Sequence, residues 1–111
     1  MAHRFSRGAA NGTLDVAPAT TALVGAILHN ESATPLYFWL EDKATAPSAA
    51  STASVVTPVL VPAMSQVHWD PPQPIEGWTL GIAWGWSSDV DQYTEHGTAD
   101  DLTTTLLFRS A

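Results

Sequence analysis

The residues best suited to chemistry in this chain are a His–Asp pair, a run of acids, four scattered histidines and five tryptophans. His68-Trp69-Asp70 sets an imidazole and a carboxylate two residues apart. On a strand that spacing puts both on one face, where they can orient each other or share a metal ion. No G-x-S-x-G nucleophile elbow accompanies them, and the chain has no Cys to supply a thiolate. A small hydrolase or metal enzyme built on His68 and Asp70 is one reading, and a half-exposed strand face is the plainer one. Asp89-x-Asp91, Glu95 and Asp100-Asp101 offer oxygens that suit Ca²⁺. Their spacing lacks the central Gly and terminal Glu of an EF-hand, so a solvated loop is expected there. His3, His29, His68 and His96 share no H-x-x-x-H or H-E-x-x-H spacing, and no zinc site is expected from them. These patterns lead us to expect no catalytic residue, no metal and no cofactor.

Trp39, Trp69, Trp78, Trp84 and Trp86 open a different chemistry. Indole faces stack on sugars and are favoured in protein interfaces. A small domain does not easily bury five indoles, so one or two are expected at an edge and the rest in the core.

These groups must be positioned by strands. Ala22 to Glu31, Pro35 to Lys43, Val55 to Val61, Met64 to Asp70, Trp78 to Trp86 and Leu102 to Arg109 are short apolar or alternating runs separated by turn residues; a helix is the competing reading of Ala22 to Glu31, where Gly25 and the Asn30-Glu31-Ser32 turn favour a strand. Thr13 to Ala17 adds a further candidate, stopped by Pro18. The clearest is WTLGIAWGW at 78–86. Its period of two puts Trp78, Leu80, Ile82, Trp84 and Trp86 on a bulky face and Thr79, Gly81, Ala83 and Gly85 on a bare one. The bare face leaves room for a second layer or a bulky neighbour. In Pro35 to Lys43, alternation sends Leu36, Phe38 and Leu40 one way and Tyr37, Trp39 and Glu41 the other. Pro58 marks Val55 to Val61 as an edge strand or a bulged one. Residues 44–54 are small and polar and read as a surface loop. The expected fold is a single small antiparallel β-sandwich of about seven strands, Ig-like or jelly-roll-like. Residues 1–11 form a flexible N-terminal arm and 12–111 the domain.

The 111 residues suit one domain, and 45% of them are hydrophobic, enough to fill one core. Eleven acids against Arg4, Arg7, Lys43 and Arg109 give a net charge of −7. That leaves no basic face for nucleic acid. No run approaches the ~18 apolar residues of a membrane span, and the N-terminus lacks the apolar stretch of a secretory signal. Neither membrane insertion nor export by the general secretory route is expected.

Leu28-His29-Asn30-Glu31-Ser32-Ala33, then Leu36-Tyr37-Phe38-Trp39-Leu40-Glu41-Asp42-Lys43-Ala44-Thr45-Ala46-Pro47, resembles a pattern in small virion proteins of tailed bacteriophages. In that family a turn of the form (hydrophobic)-x-Asn-x-(small) leads into a strand ending in (Tyr/Phe)-Asp-Lys-Ala-Thr-Ala-Pro. A Thr-Pro-Val-Leu run and a (hydrophobic)-Pro-Ala-Gly turn follow. Here Thr57-Pro58-Val59-Leu60-Val61-Pro62-Ala63-Met64 takes their place, with Met64 where Gly is usual. The resemblance spans about residues 22–109 and is most specific at Asp42 to Pro47. It implies a non-enzymatic structural protein of the virion, assembled in the host cytoplasm. The expected role is a capsid decoration (cement) protein that binds the major capsid protein, with neighbouring copies associating on the particle. A head-fibre or tail component is the nearest alternative, and a carbohydrate-binding module using exposed Trp residues is another. The expected contact residues are Arg4, Phe5 and Arg7 in the arm, with Tyr37, Trp39 and Arg109.

Overall fold

The computed structural model describes residues 3–7, 11–14, 18–96 and 101–110 of the chain. They form eight strands: β1 (His3–Arg7), β2 (Asn11–Leu14), β3 (Thr21–Asn30), β4 (Leu36–Asp42), β5 (Val59–Val61), β6 (Ser65–Trp69), β7 (Ile82–Ser87) and β8 (Leu102–Ser110). One sheet has the order β1-β8-β3-β6 and the other β2-β7-β4-β5. Every pairing is antiparallel. The pairs β1–β8, β2–β7, β3–β6 and β4–β5 alternate between the sheets, as when one long hairpin is rolled around a core. The protein is a small β-sandwich with this jelly-roll wrapping.

The core lies between the sheets and follows the alternation read in the sequence. Leu36, Phe38 and Leu40 of β4 face Leu23, Ala26 and Leu28 of β3, with Ile82, Trp84 and Trp86 of β7 and Leu102 and Leu106 of β8 around them. In β3 the pattern breaks once, at Gly25. The register with β8 shifts between Leu23 and Gly25, so Val24 is an extra residue and the inward set changes parity. A side chain at Gly25 would lie 2.9 Å from the Trp69 carbonyl oxygen, which explains the glycine. Trp86 donates Nε1–H to the Thr104 hydroxyl at 2.7 Å and meets Phe38 edge-on. Trp84 is fully buried, and among the described residues its Nε1–H has no hydrogen-bond partner.

Two expectations change. His3–Arg7, expected in a flexible arm, is a strand running along β8, with Phe5 opposite Leu106 and Arg4 opposite Leu107. Those five residues contain no Gly or Pro, so they can complete a ladder on an otherwise open edge. Trp78 to Gly81 does not belong to β7, because the backbone N–H groups of residues 79–81 turn toward a single carboxylate, that of Asp42. Trp78 still reaches the core, but Leu80, expected on the bulky face, is 65% exposed.

The bare face of β7 is not bare in the folded chain. The Tyr93 ring lies on it, and a Cβ at Gly85 would sit 2.4 Å from the phenol oxygen. Gly85→Ala is therefore expected to cost about 1–3 kcal/mol by overpacking. In urea unfolding, its loss and that of Tyr93→Ala should be clearly less than additive. Additive losses would mean that Tyr93 does not occupy the notch.

Candidate partner-binding site

The outer face of the β2-β7-β4-β5 sheet is half covered and half open. On the covered half, Trp39 is 2% exposed beneath Tyr93, with ring centroids 5.9 Å apart. Its Nε1–H goes to Glu41 Oε2 at 2.7 Å. Tyr93 donates its hydroxyl proton to Glu95 Oε1 at 3.2 Å, and the Asn11 side-chain amide donates to the same oxygen. Burial first, then the charge and hydrogen bond of Glu95 and the charge of Glu41, hold the phenol well above its ordinary pKa, so it stays a donor. The loop at 48–51 closes over this layer, with Ala50 N–H on the Tyr93 carbonyl and Tyr93 N–H on the Ser51 carbonyl.

The open half is at β5. Tyr37 pairs with Leu60 across β4 and β5, and Leu60 is 50% exposed. β5 is the outermost strand of its sheet, so among the described residues no strand pairs with the other side of its backbone. The turn after it carries Met64, which is 71% exposed and has φ 56°. That left-handed conformation disfavours any residue with a Cβ, by about 1–2 kcal/mol.

Two polar hubs hold the loops that flank β4. Asn30, fully buried, donates from Nδ2 to the carbonyls of Thr34, Val61 and Pro62. Its Oδ1 accepts from the Ser32 N–H and hydroxyl. This one amide joins the turn after β3 to the turn after β5, and so places Met64, whose N–H goes to the Ser32 carbonyl. Asp42 is the second hub. Its carboxylate accepts the N–H groups of Thr79, Leu80 and Gly81 and the Thr79 hydroxyl. A side chain at Gly81 would come within 2.5 Å of the Lys43 carbonyl oxygen. Lys43 Nζ binds the Ser48 hydroxyl at 2.7 Å, and Pro47 is buried. The Asn and the Asp-Lys-Ala-Thr-Ala-Pro run that carry the sequence resemblance are thus occupied with folding the loops.

Donation from Leu80 N–H and the Thr79 hydroxyl, with smaller help from Gly81 and Thr79 N–H against some desolvation, lowers the Asp42 pKa from 3.8 to about 2. The sign follows from the folded value being the lower one. The contribution of Asp42 to stability is complete above about pH 4 and fades as pH falls through 2. A carboxyl-carbon NMR titration of Asp42 should therefore give a midpoint near 2. A midpoint near 4 would mean the cradle is not formed.

The other candidates fall out as follows. Trp39 is walled in and cannot meet a partner, contrary to expectation; Tyr93 and the 48–51 loop cover it. Tyr37 is half-buried beside Leu60, and Arg109 is exposed near the end of β8, opposite Ala22. Arg4, Phe5 and Arg7 are placed by their backbone in β1. His68 and Asp70 are both exposed, with no hydrogen bond or ion pair joining them. His29 lies 3.5 Å from Glu31, and the buried Nε2 of His96 has no hydrogen-bond partner among the described residues. The described part of the acidic loop is organised by the buried Ser87 hydroxyl, which accepts the N–H groups of Asp89 and Thr94 and lies 2.7 Å from the Asp89 carbonyl. Gly97 to Asp100 lie outside the described residues. Among the described residues no three His, Asp or Glu side chains converge as metal ligands. Trp39, Trp78, Trp84 and Trp86 are at most 3% exposed, and Trp69 packs on Phe38. Those four rings offer no platform for a sugar. Sequence reasoning did not count Leu60 and Met64 among the contact residues; Met64, where the pattern it resembles has Gly, was the available signal.

Compared with known proteins, the chain matches no family model, no curated protein and no solved structure.

Proposed function

We propose that this chain is a non-enzymatic structural protein of a tailed-phage particle, a capsid decoration protein that seats on the major capsid protein through the β5 edge and the turn after it. The observation that carries the reading is Met64. An exposed thioether on a left-handed backbone costs stability and contributes nothing to the core. Such a residue makes physical sense where a partner covers it, since Met adapts its shape to apolar surfaces. Leu60 and Tyr37 beside the free edge of β5 extend the patch. A partner strand could add to that edge through main-chain hydrogen bonds. Repeated copies on a symmetric shell let weak single contacts suffice. The jelly-roll wrapping recurs in viral shell proteins and lectins; it is compatible with this role and does not specify it.

Met64→Gly separates binding from folding. The variant should unfold at the same or a higher urea concentration than the natural chain, because Gly accepts φ 56° without strain. It should co-sediment with assembled capsids at least tenfold more weakly, the loss expected when a buried contact worth about 1.4 kcal/mol or more is removed. Undiminished co-sedimentation of Met64→Gly and of Leu60→Lys would exclude this patch.

A further inference from the structure

At the far end of β4 from Met64, the loop at 75–81 and the chain at Val55 enclose a cleft of about 70 Å³, lined by Asp42, Val55, Ile75, Glu76, Gly77 and Trp78. Its walls are fixed before anything binds. Ile75 exchanges two backbone hydrogen bonds with Leu23 of β3, at 2.9 and 3.0 Å. Trp78 donates Nε1–H to the Ile75 carbonyl at 2.9 Å, so the indole closes the bottom of the loop. Gly77 makes the turn at φ 80°, a conformation closed to most side chains. Asp42 pins the next three residues by their N–H groups. The rim carries two kinds of surface. Val55 is 46% exposed, and beside Asp42 the chain exposes Leu80. Glu76 is exposed as well, and Asp42 remains ionised to low pH.

We propose that this cleft receives an arginine side chain of a partner protein. The apolar wall of Val55 and Ile75 suits the three-methylene stem, and the Asp42 and Glu76 carboxylates suit the cation. Arginine fits better than lysine. The Asp42 oxygens are already hydrogen-bonded, so the site attracts chiefly by charge. A weakly hydrated guanidinium gives up less water there than an ammonium does. The partner is a different chain, because this one carries eleven acids and only four basic residues. A surface of net charge −7 repels its own copy and draws a basic one. The proposal rests on the cleft alone and does not require the partner to be a capsid protein.

The test is an amide-resolved NMR titration of the full chain at low salt with N-acetyl-arginine amide. N-acetyl-citrulline amide, the uncharged isostere, is the control. The expected result is saturable shifts at Gly77, Trp78, Leu80 and Gly81 with the arginine compound and none with the citrulline one. Glu76→Gln should weaken the arginine binding about two- to fivefold, as for an exposed ion pair, and should leave the spectrum of the free chain otherwise unchanged. Val55→Lys should abolish it. Equal shifts with both compounds, saturable shifts confined to other residues, or no saturable shift at all would overturn the proposal. Failure of capsid binding with arginine binding intact would count against the virion role and not against the cleft.

Discussion

Asn30→Asp is expected to destabilise the protein by roughly 3–5 kcal/mol at pH 7, although it replaces only the amide NH2 by an oxygen of similar size. The Asn30 amide nitrogen faces the carbonyl oxygens of Thr34, Val61 and Pro62. A carboxylate oxygen in that place meets acceptors on every side and has no water, since the residue is fully buried. Protonation gives back one donor. The folded-state pKa of the new acid is therefore raised above the ordinary value of about 3.9. The native state then holds the proton where the unfolded state has lost it, so stability falls as pH rises above about 4. Urea unfolding at pH 4 and pH 7 checks both parts. The deficit relative to the natural chain should be smaller at the lower pH. A deficit below about 1 kcal/mol at pH 7 would mean that Asn30 does not hold the two turns together.

Trp86→Ala is expected to cost about 3–5 kcal/mol, a large share of the ~5–15 kcal/mol that stabilises a domain of this kind. The ring is fully buried, meets Phe38 edge-on and bonds Thr104 across the core from the other sheet. The sharper comparison is between two Trp→Phe changes on the same strand. Both remove similar ring volume from the core. Trp86→Phe also leaves the buried Thr104 hydroxyl without its donor, whereas Trp84→Phe removes an Nε1–H that has no partner among the described residues. Trp86→Phe should accordingly be the more damaging by about 1–2 kcal/mol. Equal losses by chemical unfolding would place no weight on the Thr104 bond.

Much of this fold can be read from the sequence, and the exceptions have common causes. The inward sets of β4 and β7 follow strict alternation, which is why Leu36, Phe38, Leu40, Trp84 and Trp86 were identifiable as core. β3 is less legible because the bulge at Val24 changes parity midway. The end of β7 was overextended because nothing local in WTLG reveals that Asp42, 37 residues earlier, captures its N–H groups. Trp39 looked like an interface residue for a similar reason. It alternates outward as expected, but Tyr93, far along the chain, covers it. The chemistry-bearing residues of the sequence were the least informative about binding. His68, Asp70 and the acids at 89–95 stand in exposed or loop-organising places, while the open patch is made of Tyr37, Leu60 and Met64. Exposure of an apolar residue is a tertiary property, and one sequence does not display it.

The most direct measurement is hydrogen–deuterium exchange of the chain, free and mixed with assembled tailed-phage capsids, the partner proposed above. On binding, amides at 59–64 should become protected, while those at 88–95, in the loop that carries Tyr93 over the other half of the sheet, should change little. Protection absent from 59–64, or a chain that does not bind the capsids at all, would contradict the proposed role of the β5 edge.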